Sequence, residues 1–151
     1  MTSVAKVFDP GTALLAKHAQ HVVLVHFPIA LFLTGVAFEW AGRWTGIKGL
    51  VEGAYYNLLI AAVSTLPVTA TGLLAWHFQL EEQKLKGILL LHLVLASTST
   101  AFIWLVWWLH FRARRRGAAV SGYLWVVEAA GVAVVGLTGH LGGFLAGVNV
   151  G

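Results

Sequence analysis

Seven histidines, His18, His21, His26, His77, His92, His110 and His140, stand in a chain whose long apolar stretches make any ionisable group costly to hold. His26 and His92 each lie a few residues inside the start of an apolar run, and His77 and His140 lie near the ends of two others. If successive runs are helices of alternating direction, these four fall in one layer. At 1.5 Å per residue that layer lies about 5–10 Å below one surface. Such a layer suits a metal or a haem iron, because neutral imidazole ligates iron, copper and zinc. Two histidines from different helices can fill the axial positions of one haem b, and four those of two, with no cysteine required. A copper or zinc ion held by three or four imidazoles is the alternative.

The candidate cofactor ligands are His26, His92 and His140, followed by His21 and then His77. His21 lies five residues before His26, about 140° round a helix, so the two do not share a face. It can serve a second ligand set or hydrogen-bond to the first. His77 beside Glu81 and Glu82, and His110 beside Phe111 and Arg112, also read as interfacial residues, and His18 reads as a solvated one. Gly139, Gly142 and Gly143 flank His140, and Gly72 precedes His77. Small residues of this kind admit a flat macrocycle, although in membrane spans they also serve helix packing. Lys17, Lys84 or Lys86 could meet haem propionates. Two acids, Glu39 and Glu128, sit at similar depth nearer the opposite face, where they could share a proton or bond to Tyr, Trp or Arg43.

The elements that must position these residues are set by composition. Of 151 residues, 58% are hydrophobic and only 11% charged, and the mean hydropathy is +0.79. A water-facing domain carries about 25% charge, so this chain belongs to the membrane class. Four spans of the length needed to cross hydrocarbon can be drawn, at about residues 21–41, 54–78, 87–111 and 123–148. The connections at 42–53, 79–86 and 112–122 are short, which makes sequential helices antiparallel neighbours. The expected fold is an all-α, up-down-up-down four-helix membrane bundle forming a single domain. Spans one and three are then diagonal, and His26 and His92 could face each other across a central haem.

Arg43, Lys48, Arg112 and Arg114 to Arg116 mark one face, and Lys6, Lys17, Lys84 and Lys86 the other. The basic bias places the first face in the cytoplasm of a bacterial inner membrane, with both termini outside. Trp40, Trp44, Tyr55, Tyr56, Trp107, Trp108, Tyr123 and Trp125 gather at the arginine-bearing face as interfacial anchors. The basic loop is a topology signal, and nucleic acid is not an expected partner. Residues 1–20 lack the features of a signal peptide. Asp9 to Thr12 reads as a turn, and Thr12 to Gln20 as a short surface helix. A faint repeat relates His26-x-x-x-Ala30 to His92-x-x-x-Ala96, and Gly72–His77 to Gly136–His140. A two-helix unit repeated in parallel would place a pseudo-twofold axis along the membrane normal.

The blocks His26-Phe27-Pro28-Ile29-Ala30-Leu31 and Thr138-Gly139-His140-Leu141-Gly142-Gly143-Phe144-Leu145 resemble those of a family of small bacterial predicted membrane proteins of unknown function. Its pattern has four spans, opens with a histidine shortly before the first block and closes with the second. His21, His26, His92 and the closing block match it, whereas His77 falls outside it. The resemblance covers nearly the whole chain and implies association with electron-transfer modules, including Rieske-type and cytochrome c domains. It favours a redox cofactor without identifying a reaction.

The expected function is that of a membrane-embedded b-type cytochrome, more an electron-transfer protein than a free-standing enzyme. It would pass electrons between the quinone pool, or a membrane partner, and an acceptor at the outer, periplasmic surface. The alternatives are a histidine-ligated copper or zinc protein, a structural or assembly subunit of a larger complex, and, least well supported, a transporter. Four spans leave little room for a transport pathway without oligomerisation.

Overall fold

A backbone in lipid must satisfy its own hydrogen bonds, and an apolar chain of this length does so as helices. The computed structural model describes residues 17–79, 86–117 and 122–145. It contains α1 (Lys17–Leu24), α2 (His26–Thr45), α3 (Lys48–Gln79), α4 (Gly87–Arg115) and α5 (Leu124–Leu145). Four stretches are long and apolar enough to cross a membrane: Gln20–Thr45, Lys48–His77, Gly87–Arg115 and Leu124–Leu145. The expected turn at Asp9, the surface helix up to residue 16, the side chains of Lys17 and His18, residues 80–85 with Lys84, and residues 146–148 lie outside the described residues.

The first span is α1 and α2 joined by a turn at Val25. Pro28 causes the break, because it has no N–H for the Leu24 carbonyl four residues back. Two carbonyls of the preceding turn are bonded across this point. The Val25 N–H bonds the His21 carbonyl at 3.0 Å, and the His26 ring donates from Nδ1 to the Val22 carbonyl at 2.7 Å.

The loops are shorter than expected. α2 runs on to Thr45 and α3 begins at Lys48, so the first connection is only Gly46 and Ile47. Gly46 adopts φ +73° and its N–H bonds the Gly42 carbonyl at 2.8 Å, a left-handed cap that reverses the chain at once. Close approach of α2 and α3 depends on Gly42, where a Cβ would come within 2.8 Å of Val51 Cγ2. α4 likewise extends to Arg115, with Gly117 at φ +58° after it.

α2 packs against α3, α3 against α4, α4 against α5, and α5 back against α2, so the spans follow one another round an all-α bundle. Phe32, Val36, Leu58, Ala61, Ile103, Val106 and Val135 form its core. Gly131 makes room for Phe32, whose Cζ would lie 2.9 Å from an added Cβ.

The inward faces repeat. Pro28, Phe32, Gly35 and Glu39 of α2 have buried counterparts 71 residues on, at Ser99, Ile103, Val106 and His110 of α4. Ala54, Leu58, Ala61 and Thr65 of α3 have buried counterparts 70 residues on, at Leu124, Glu128, Gly131 and Val135 of α5. The left-handed glycines Gly46 and Gly117 are also 71 apart. The chain is therefore two helical hairpins of one design. The register differs from that of the His26/His92 match, which is 66 residues, because the structural counterpart of His92 is His21.

Candidate functional site

Two polar layers cross the bundle. In the outer layer the inward stripe of α4, at Ser99, Ile103, Val106 and His110, extends back seven residues to His92. The stripe of α5 extends forward from Thr138 to Gly142, and these two extensions meet. His92 Cε1 lies 3.3 Å from where a Cβ on Gly142 would sit. His92 Nδ1 is buried and has no hydrogen-bond partner.

The first hairpin repeats the arrangement. His21 of α1 lies against Gly72 of α3, with Cε1 2.9 Å from where a Cβ would sit. Its Nδ1 is 3.2 Å from the Val68 carbonyl and 3.3 Å from Thr71 Oγ1. Donation from Nδ1 to that carbonyl fixes the tautomer that carries its proton on Nδ1. His21 and His92 are thus counterparts in the two hairpins, on diagonal spans, each with its ring on a glycine of the following span.

The other candidate ligands are placed differently. His26 is exposed, well round α2 from Phe32, with its ring committed to the Val22 carbonyl. It does not face His92 across the bundle axis, because it stands about 120° round the helix from the inward stripe at Phe32. His140 is exposed and packs edge-on against Phe144, with ring centroids 4.9 Å apart. His77 is exposed near the end of α3. Among the described residues, no three His, Cys, Asp or Glu side chains are grouped so as to hold a metal ion.

The inner layer, nearer the arginine-bearing face, joins Glu39 and Arg43 of α2, His110 of α4 and Glu128 of α5. Glu39 and Glu128 are 1% and 0% exposed, and His110 is 5% exposed. Glu128 Oε1 accepts from Arg43 Nη2 at 3.2 Å and from His110 Nε2 at 2.8 Å, and its Oε2 accepts from Trp40 Nε1 at 2.7 Å. Glu39 Oε1 accepts from Arg43 Nε at 2.7 Å. The expectation that these acids bond to Trp and Arg43 is met. His110, expected at the interface, is instead buried between the two carboxylates. Its position on the stripe of His92, Ser99, Ile103 and Val106 was the available signal, and its neighbours Phe111 and Arg112 obscured it.

At the membrane edge Arg114 Nη1 pairs with Glu52 Oε2 at 2.8 Å and covers Tyr55, linking the two hairpins. Residues 17–150 match the model of a family described as "Predicted membrane protein (DUF2231)". No curated protein and no solved structure matches the chain.

Proposed function

The chain belongs to the predicted membrane protein family DUF2231, and from that premise we propose that it is a b-type cytochrome of the bacterial inner membrane, in which His21 and His92 would hold a haem. One observation carries this reading: His21 and His92 occupy equivalent inward positions in the two hairpins, each with its ring against a glycine, Gly72 or Gly142. Bis-histidine ligation needs only two protein ligands, which suits a layer with no three-ligand cluster among its described residues. The unpartnered buried Nδ1 of His92 fits a ring awaiting a further interaction.

Haem iron, when bound, supplies a one-electron carrier. The chain supplies the two imidazoles, a tautomer at His21 held by the Val68 carbonyl, and an apolar surround. Electrons would pass between the quinone pool or a membrane partner and an acceptor at the outer surface. Arg43, Lys48, Arg112 and Arg114 to Arg116 orient that face towards the cytoplasm, with both termini outside. A second haem would draw on His140 and His77.

The test is the visible spectrum of the detergent-solubilised protein, oxidised and dithionite-reduced, with a pyridine haemochrome count. The expected result is a Soret band with sharp reduced α and β bands, lost in His21→Ala and in His92→Ala but kept in His26→Ala. Full haem content in His92→Ala would reject the ligand pair. A protein that stays colourless under ample haem supply would reject the cytochrome, and metal analysis for copper and zinc would then test the other ligand chemistry.

A further inference from the structure

The inner layer lies 18 residues along the span from the histidine pair (His21 to Glu39, His92 to His110), about 27 Å, and is independent of the haem reading. With His110 neutral, its charges do not balance. Arg43 contributes one positive charge, and Glu39 and Glu128 together two negative ones, in a region nearly closed to solvent. A net buried charge is costly, and uptake of one proton removes it.

The hydrogen-bond geometry offers a place for that proton. Glu128 receives three donors, from Trp40, Arg43 and His110, an arrangement that stabilises the carboxylate. His110 donates from Nε2 to Glu128, which leaves Nδ1 as an acceptor. Glu39 is satisfied at Oε1 only. Its Oε2 is buried without a hydrogen-bond partner and stands 3.9 Å from His110 Nδ1.

We propose that Glu39 and His110 form a proton-binding site, with the exchangeable proton on Glu39 Oε2 and His110 Nδ1 as its acceptor. Binding takes one proton from water, turns the Glu39 carboxylate into a carboxylic acid and brings the cluster from a net charge of minus one to zero. A small rotation of the carboxyl shortens the 3.9 Å separation into an O–H···N bond. Arg43, 16% exposed, holds Glu39 and Glu128 together and is the member nearest water. The other charged pair on this face, Glu52 with Arg114, is exposed and neutralises itself.

Infrared difference spectroscopy of the full chain in liposomes, titrated between about pH 6 and pH 9, reads this directly, because solvated carboxylic acids are already ionised in that window. The expected result is a protonated-carboxyl band that shifts in deuterium oxide and vanishes in Glu39→Gln, a substitution that mimics the neutral acid. In His110→Gln, which keeps a donor towards Glu128 but loses the Nδ1 acceptor, the band should persist at a shifted frequency. Persistence of the wild-type band in Glu39→Gln would overturn the proposal. If Glu39→Gln fails to fold, wild-type protein with isotope-labelled glutamate carboxyls decides the matter: absence of any glutamic-acid band throughout the window overturns the site.

Discussion

At the residue scale, each inward histidine depends on a neighbour that lacks a side chain. A Cβ at position 72 would sit 2.9 Å from His21 Cε1, and one at 142 would sit 3.3 Å from His92 Cε1. The first clash forces the ring to move, whereas the second needs a shift of a few tenths of an ångström. Gly72→Ala should therefore lower haem content more than Gly142→Ala, with both proteins still folded and helical. The haem-to-protein ratio and circular dichroism measure this. Equal haem content in Gly72→Ala and wild type would remove Gly72 from the site. The same scale separates His26 from His21. His26 has a local task at the helix break, bonding the Val22 carbonyl, so its substitution should cost about 1 kcal/mol of stability and leave the spectrum unchanged.

At the element scale, the glycines that end helices do a different task from those inside them. Gly46 sits at φ +73° with open space around it, so a side chain there meets no neighbour and suffers backbone strain alone. Gly46→Ala should cost about 1 kcal/mol, seen as a lower thermal midpoint in detergent. Gly49→Ala, in open space within α3 and without a left-handed φ, is the control and should be neutral or slightly stabilising. The shortness of the first connection follows from this cap. The apolar pattern alone marks where a span must exist but not where its helix stops, because helices continue past the hydrocarbon boundary until a residue such as Gly46 or Gly117 ends them. The interruption at Val25 is of a different kind, since Val25 keeps right-handed helical dihedrals and the span runs on through it.

At the scale of the whole molecule, two hairpins face each other, and an even number of spans returns both described ends to one side of the membrane. The sequence contains no cysteine, so single cysteines report topology cleanly. Lys86→Cys should react with an impermeant maleimide in intact spheroplasts, and Lys48→Cys and Arg116→Cys only after permeabilisation. The reverse pattern would invert the orientation. Membrane class, four spans and the matched depth of Glu39 and Glu128 were legible in the sequence, because length, hydropathy and distance along a helix are one-dimensional quantities. The common depth expected of the histidines does not hold, because the contact of His21 with Gly72 sets His26 and His77 at depths about 15 Å apart. Direction around each helix was not legible. Lipid is as apolar as the bundle interior, so a span shows little contrast between its faces. The most apolar windows of the four spans are only 11–28% buried, and the rest of each window is apolar without facing the core. Only the tertiary structure therefore decided that His21, rather than His26, is the counterpart of His92. It likewise decided that His110 belongs with two buried carboxylates, since facing is settled by packing against neighbouring helices and not by the apolar pattern of any one of them.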